Sequence, residues 1–210
     1  FLALMFLVAL PLSLVLEGQW PFAVGWLVMM VTMFWVLMGG KPNEHTANDN
    51  TSGVITLLEI YAAMTPQQRE KTCFVFFDNE ESGLLGSKFY AKRHKEDGLK
   101  EKFLLNFDCV SDGDTFLIVH NKPAGKRYGA TLEEVFQSGD GKTVELCSSA
   151  KAFYPSDQAN FPVNAAVSAM NRSKLVGLYM NKIHTKHDTV FQEENIRFLK
   201  DAAIRLTDRF

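Results

Sequence analysis

The sequence predicts an α/β protein, a three-layer sandwich around a mostly parallel mixed sheet, preceded by an apolar helical hairpin. Three observations carry that expectation. Beyond Gly39-Gly40, short β-rich runs alternate with amphipathic helical stretches. Residues 1–38 hold a single ionisable side chain, Glu17, whereas residues 39–210 are an ordinary mixture of charged and apolar types. With 210 residues and 47% hydrophobic content, the chain can bury one full core.

The hairpin comes first. From Trp20 to Met38 the run WPFAVGWLVMMVTMFWVLM carries no charge, and at ~1.5 Å rise per residue it reaches about 28 Å, close to the hydrocarbon thickness of a bilayer. Residues 1–16, FLALMFLVALPLSLVL, read as the end of a companion segment, with EGQWP as the polar turn and Trp20 as an interfacial aromatic. A cleaved signal peptide is disfavoured, because no basic stretch precedes the apolar run and a second apolar span follows at once. The expectation is a membrane protein with a globular domain on one side of a lipid bilayer. A start in mid-span without Met predicts that chain is missing ahead of Phe1.

The elements of the second domain follow in order. SGVITLLEIYAAM is a helix with Val54, Leu57, Leu58 and Tyr61 on one face and Thr51 or Ser52 as its cap. KTCFVFFD is a strand, SGLLGSKFYAKRHK a helix, KFLLNFDCV and TFLIVH strands, and GATLEEVFQSG the centre of a helix. TVELCS and SKLVGLYM are strands, and QEENIRFLKDAAIRLTDRF closes the chain as a helix with Ile196, Leu199, Ala203 and Leu206 on one face.

Charge and cysteine content exclude some classes. Lys and Arg total 22 against 24 Asp and Glu, a formal charge of -2, which argues against a nucleic-acid surface. Cys73, Cys109 and Cys147 are odd in number and read as buried thiols rather than a disulfide framework. Gly83 and Gly86 lack the lysine and hydroxyl spacing of a phosphate loop. No Ser-His-Asp assembly stands out.

In an α/β fold ligands gather beyond the carboxyl ends of the strands. Those positions hold Glu80 and Glu81 after KTCFVFFDN, Asp108 after KFLLNF, and His184 after KLVGLYMNKI, while Asp49 lies in the loop before the first helix. Two adjacent glutamates at the end of an apolar strand repel each other, and a dication removes that repulsion. Carboxylates with an imidazole are a zinc-type donor set. Neighbouring side chains point in different directions, so one glutamate can bind metal while the other handles a proton, and a metal-activated water completes a hydrolytic device. His187 and Asp188 either brace His184 or, for Asp188, cap a helix.

TANDNTSG, FVFFDNEESGLLGSKFY, NFDCVSDGD, YPSDQANFP and IHTKHDT, in that order, resemble the zinc aminopeptidases of metallopeptidase family twenty-eight, whose relatives include glutaminyl cyclases. The likeness spans about residues 43–208. It implies a zinc-exopeptidase-like fold with Asp49 bridging two zinc ions, Glu80 as general base, Glu81 and His184 on one zinc and Asp108 on the other. It also implies peptide substrates with a free N-terminus, and Asp157 and Phe161 as substrate-pocket candidates. The pattern departs from the family in one respect: no H-x-D precedes Asp49. Either the H-x-D strand lies ahead of Phe1 and the hairpin is an insertion, or His45 substitutes, or a single zinc on Asp49, Glu81 and His184 suffices, as in glutaminyl cyclases. An inactive peptidase fold serving as an interaction module is the non-enzymatic alternative.

Overall fold

The computed structural model describes residues 10–38 and 43–210. The chain divides into two compact units, one ending at Pro42 and one starting at Asn43.

In the first unit, helix α1 (Leu10–Leu16) and helix α2 (Trp20–Met38) are joined by a turn at Glu17–Gly18. Among the described residues, no helix is long and apolar enough to cross a membrane. The expected second span coincides with α2. The expected first span falls largely on residues 1–9, outside the described ones.

The second unit contains α3 (Ser52–Ala63), α4 (Pro66–Glu70), α5 (Leu85–Arg93), β1 (Leu104–Phe107), β2 (Thr115–His120), α6 (Lys122–Val135), β3 (Thr143–Ser148), β4 (Asn164–Ser173), β5 (Gly177–Tyr179) and α7 (Glu193–Thr207). The sheet order is β1-β4-β2-β3, with β5 pairing β4. β1 runs parallel to β4 and β2 parallel to β3, while β2 and β4 are antiparallel. β4 is thus the centre of the sheet, and its first six residues are buried. The sequence reading placed no strand there. NAAVSAM reads as weakly apolar because its side chains are small, and small residues are what a strand covered on both faces can hold beneath packed helices. The expected strand SKLVGLYM is strand only in part: Gly177–Tyr179 forms β5, while Leu175 and Val176 are exposed at the tip of the hairpin between β4 and β5.

KTCFVFFD is not a strand. Residues 72–79 belong to no helix and to no ladder among the described residues.

The expected helices form with different faces and starts. α3 buries Ser52, Gly53, Thr56 and Ile60, while Val54, Leu58 and Tyr61 stay exposed. Close approach decides this: a Cβ at Gly53 would lie 2.3 Å from the Phe107 carbonyl oxygen, so only the small-residue face can meet β1. Thr51 makes no side-chain cap, and Ser52 Oγ donates to Asn48 O at 2.7 Å. α5 starts at Leu85 rather than at Ser82. α6 begins at Lys122, where the Asn121 side chain accepts the Ala124 N–H and Pro123 occupies the first turn.

α7 carries Ile196, Leu199, Ala203 and Leu206 into the core as the periodicity predicts, and Phe116 stacks on Phe198 at 4.9 Å. Phe116, Ile118, Leu132, Val167 and Leu199 are fully enclosed. The cysteines are free; Cys109 is buried, Cys147 half-buried and Cys73 exposed, against the expectation for a strand at residues 71–78.

Candidate metal centre

The donors are delivered by three backbone devices. Residues 46–52 form a tight loop ahead of α3, stapled to the loop after β1. Asn48 Oδ1 accepts the Ser111 and Asp112 N–H groups at 2.7 and 3.1 Å, and Ser52 Oγ accepts the Val110 N–H at 3.0 Å. Asn50 accepts from Gly53 and Cys109 and donates to Phe107 O. Asp49 and Asp108 are thereby held side by side.

Asp188 closes the loop from the other end. Its carboxylate is buried and accepts the Asn48 N–H at 2.8 Å and the Asp49 N–H at 2.9 Å. It neither braces His184 nor caps α3; it fixes the backbone of the aspartate.

The glutamate pair sits in a turn. Asn79, at φ +53°, adopts the left-handed conformation that Asn tolerates better than most residues. The Gly83 and Leu84 N–H groups then fold back onto Glu80 O. Gly86 passes so close to Asp78 that a Cβ would lie 2.4 Å from the Asp78 carbonyl oxygen. That contact accounts for the glycine without any phosphate-binding role.

These devices bring Asp49, Glu81 and His184 together. His184 Nε2 is 2.9 Å from Asp49 Oδ2 and 2.8 Å from Glu81 Oε1. Asp49, Asp108 and Cys109 form a second group, and within each group the donor atoms lie within 4.8 Å of one another. Asp49 belongs to both. Glu80 belongs to neither, yet it is close enough to Asp108, Glu81, Asp157 and Asp49 to feel all four. The two glutamates therefore diverge.

Electrostatics shows what the cluster lacks. Burial first, then Asp108 and Glu81, push the Asp49 carboxyl up to about 6. Burial, then Asp108, Glu81 and Asp157, push Glu80 up to about 7. The carboxylates crowd together, and among the described residues only the His184 imidazole lowers Asp49, so a dication suits such a donor set. Cys109 is a poor candidate ligand. Burial and the Asp108 and Asp49 carboxylates drive its thiol far up, so it stays protonated and donates toward Asp108 Oδ1 at 3.4 Å. Among the described residues the second group is thus short of donors beyond Asp49 and Asp108.

The remaining candidates fall around this centre. Asp157 is buried at the start of a short 3-10 turn (Asp157–Asn160), and its Oδ1 has no hydrogen-bond partner. Phe161 is 5% exposed and packs on Phe77 and Tyr90 at centroid distances of 5.7 and 6.2 Å. His45 is exposed in the loop before Asp49. Tyr154, which the sequence reading passed over, donates its hydroxyl to Asp108 O at 3.1 Å and so supports the aspartate from below. Its motif, YPSDQANFP, was visible; the reach of its side chain across the fold was not.

A match to peptidase family M28 extends over residues 32–205. The chain belongs to peptidase family M28. Among curated relatives of this M28 chain is a probable leucine aminopeptidase of Arthroderma benhamiae, 25% identical over 153 residues, covering 69% of the chain and 42% of the relative. Another, probable leucine aminopeptidase 2 of Aspergillus oryzae, is 32% identical over 117 residues, covering 49% of the chain and 23% of the relative. The fold resembles the Legionella pneumophila LapA aminopeptidase, with TM-score 0.58 and 17% identity over 78% of this chain and 46% of that one. It also resembles the aminopeptidase of Aneurinibacillus sp. strain AM-1, with TM-score 0.56 and 23% identity over 77% of this chain and 39% of that one. The M28 chain therefore spans less than half the length of these relatives.

Proposed function

We propose that the chain carries the metal-binding and proton-transferring part of a zinc aminopeptidase that hydrolyses the N-terminal peptide bond. The observation that supports this most is the convergence of Asp49, Glu81 and His184 with Glu80 free beside them. A zinc ion bound there supplies Lewis-acid polarisation of a carbonyl and acidifies water. Asp49, Glu81 and His184 would hold it, and Asp49 also belongs to the group with Asp108 that would contribute to holding a second ion.

Glu80 is the general base. A carboxyl pushed up by burial and by the Asp108 and Glu81 carboxylates can take a proton from water and return it to the leaving amine, and such a positioned base contributes about 10²–10⁴ in rate.

A glutaminyl-cyclase-like reading has its own support. Asp49, Glu81 and His184 form a complete three-donor group, whereas the Asp108 group does not. Two assays on zinc-loaded protein separate the readings: release of leucine from a leucyl peptide supports the aminopeptidase, and release of ammonia from a glutaminyl peptide supports the cyclase. Absence of both activities together with absence of zinc binding would leave a peptidase fold used as an interaction module.

A further inference from the structure

Packing does little to hold His184. Its side chain is 61% exposed, and the residue lies in no helix or strand. It occupies the third position of a turn, Lys182 to Thr185, in which the Thr185 N–H and hydroxyl both donate to Lys182 O, at 3.2 and 2.6 Å. Its φ of +59° is left-handed, as several β-turns require at that position. A shift of Lys182 is therefore a shift of His184.

Lys182 is held by a carboxylate that belongs to neither donor group. Its Nζ stands 2.9 Å from Asp112 Oδ2, the Asp112 side chain being 9% exposed and that of Lys182 35%. Asp112 is fixed in turn. Its N–H donates to Asn48 Oδ1 at 3.1 Å, and Asn171 Nδ2, on β4, lies 3.5 Å from its Oδ1. Asn48 immediately precedes Asp49, and Asp112 shares the loop after β1 with Asp108. The contacts Asn48–Asp112–Lys182 thus join the segments that carry Asp49, Asp108 and His184.

We propose that Asp112 and Lys182 are positioning residues for the metal centre: their ion pair latches the His184 turn to the loop after β1 and sets where the imidazole meets Asp49 and Glu81. The proposal rests on the reading of Asp49, Glu81 and His184 as the donors of a zinc ion. The turn is pinned on both flanks. Asp188 ties the chain beyond it to the Asn48 and Asp49 amides, and Lys182 ties the chain at its start. Asn43 Nδ2 adds a bond to Thr185 O at 3.2 Å.

Position rather than charge is what the lysine supplies. An ammonium group near a dication repels it, so as a bare charge Lys182 works against metal binding. Paired with Asp112, its charge is offset while its backbone closes the turn. The two effects have opposite signs, which makes them separable.

Calorimetric zinc titration of the 210-residue chain, with NMR of the His184 imidazole, tests the latch. In Lys182→Met, loss of a nearby cation alone would lower the zinc dissociation constant. Loss of the latch is expected to raise it about 10–100-fold, the usual effect of removing support from behind a ligand. Lys182→Arg keeps a cation for Asp112 and is expected to stay near the native value. The double variant Asp112→Asn/Lys182→Met removes one charge of each sign and leaves no buried carboxylate unpaired, so it serves where the single variant does not fold. It is expected to show the same rise, and its His184 Nε2 resonance to move less on saturation with zinc than in the native chain. An unchanged or lower dissociation constant in the folded variants overturns the proposal. So does a weakened affinity with the native His184 shift, or a loss in Lys182→Arg equal to that in Lys182→Met. A native chain that binds no zinc overturns the metal-centre reading itself, and the latch with it.

Discussion

His184 Nε2 stands 2.9 Å from Asp49 Oδ2, although the two residues come from opposite ends of the Asn43–Phe210 unit. One imidazole nitrogen cannot donate a single proton well to both Asp49 and Glu81. The three atoms converge as ligands do, and that convergence shapes the expectations below.

Stability of the metal-free protein should fall as pH rises from about 4 to about 7. Asp49 and Glu80 have ordinary values of 3.8 and 4.5 and are pushed up to about 6 and about 7 in the fold. Between those limits the native state holds more protons than the unfolded chain, so each step up in pH favours unfolding, and the trend levels off beyond either end. Zinc at saturating concentration should remove the slope by stabilising the ionised carboxylates. Urea midpoints across this range, with and without zinc, check both statements; a metal-free midpoint that rises through the same interval contradicts them.

Dication affinity should climb with pH to about 6 and then flatten, because Asp49 must lose its proton to ligate. Below that point the dissociation constant is expected to drop about tenfold per pH unit. Calorimetric titration with zinc in buffers of differing ionisation enthalpy reads the released proton directly.

Glu80→Gln should cut peptide hydrolysis by about 10²–10⁴ while zinc affinity stays within a few-fold, since Glu80 lies outside the donor groups. Glu81→Gln should instead lose zinc first. If both variants lose zinc equally, the division of labour between the neighbours is wrong.

Asp188→Ala should weaken both the fold and the metal centre without touching a ligand. It leaves the Asn48 and Asp49 amides, held at 2.8 and 2.9 Å, without their acceptor. Each buried amide left unpaired costs about 1–3 kcal/mol, and loss of such outer support lowers metal affinity about 10–100-fold. Thermal unfolding and zinc titration of one preparation measure the two effects together.

Gly53→Ala should destabilise by about 1–3 kcal/mol, the usual effect of forcing atoms into packed space. The new methyl group meets Phe107 O at 2.3 Å and Asn50 Oδ1 at 2.4 Å. Both are backbone or stapled positions, so relief must come from a shift of α3 away from β1. A melting temperature equal to that of the native protein would show that the contact yields easily.

Legibility of the fold varied with how local its causes are. Thr115–His120, Thr143–Ser148 and the buried face of α7 followed from short-range pattern alone, and the structure places them there. α3 did not: its apolar stripe is the exposed one, because contact with β1 selected the smallest residues instead. β4 escaped notice since a strand of Ala, Val and Ser carries little hydrophobic signal until its neighbours enclose it. Asp49, Glu81, Asp108 and His184 were recognisable as donors from their types and positions, and Tyr154 was not, its role resting on one long-range hydrogen bond.

By itself the amino-acid order determined the chemical inventory: carboxylates and an imidazole at element ends, a paired glutamate turn, and an apolar leader distinct from the rest. Tertiary structure alone decided which of them meet. Asp188 on the Asp49 amide, the Tyr154 hydroxyl on Asp108 O, and the pairing of β1 with β4 depend on distances between residues far apart in sequence. Local propensity carries no information about such distances, because they are set by packing of the whole unit.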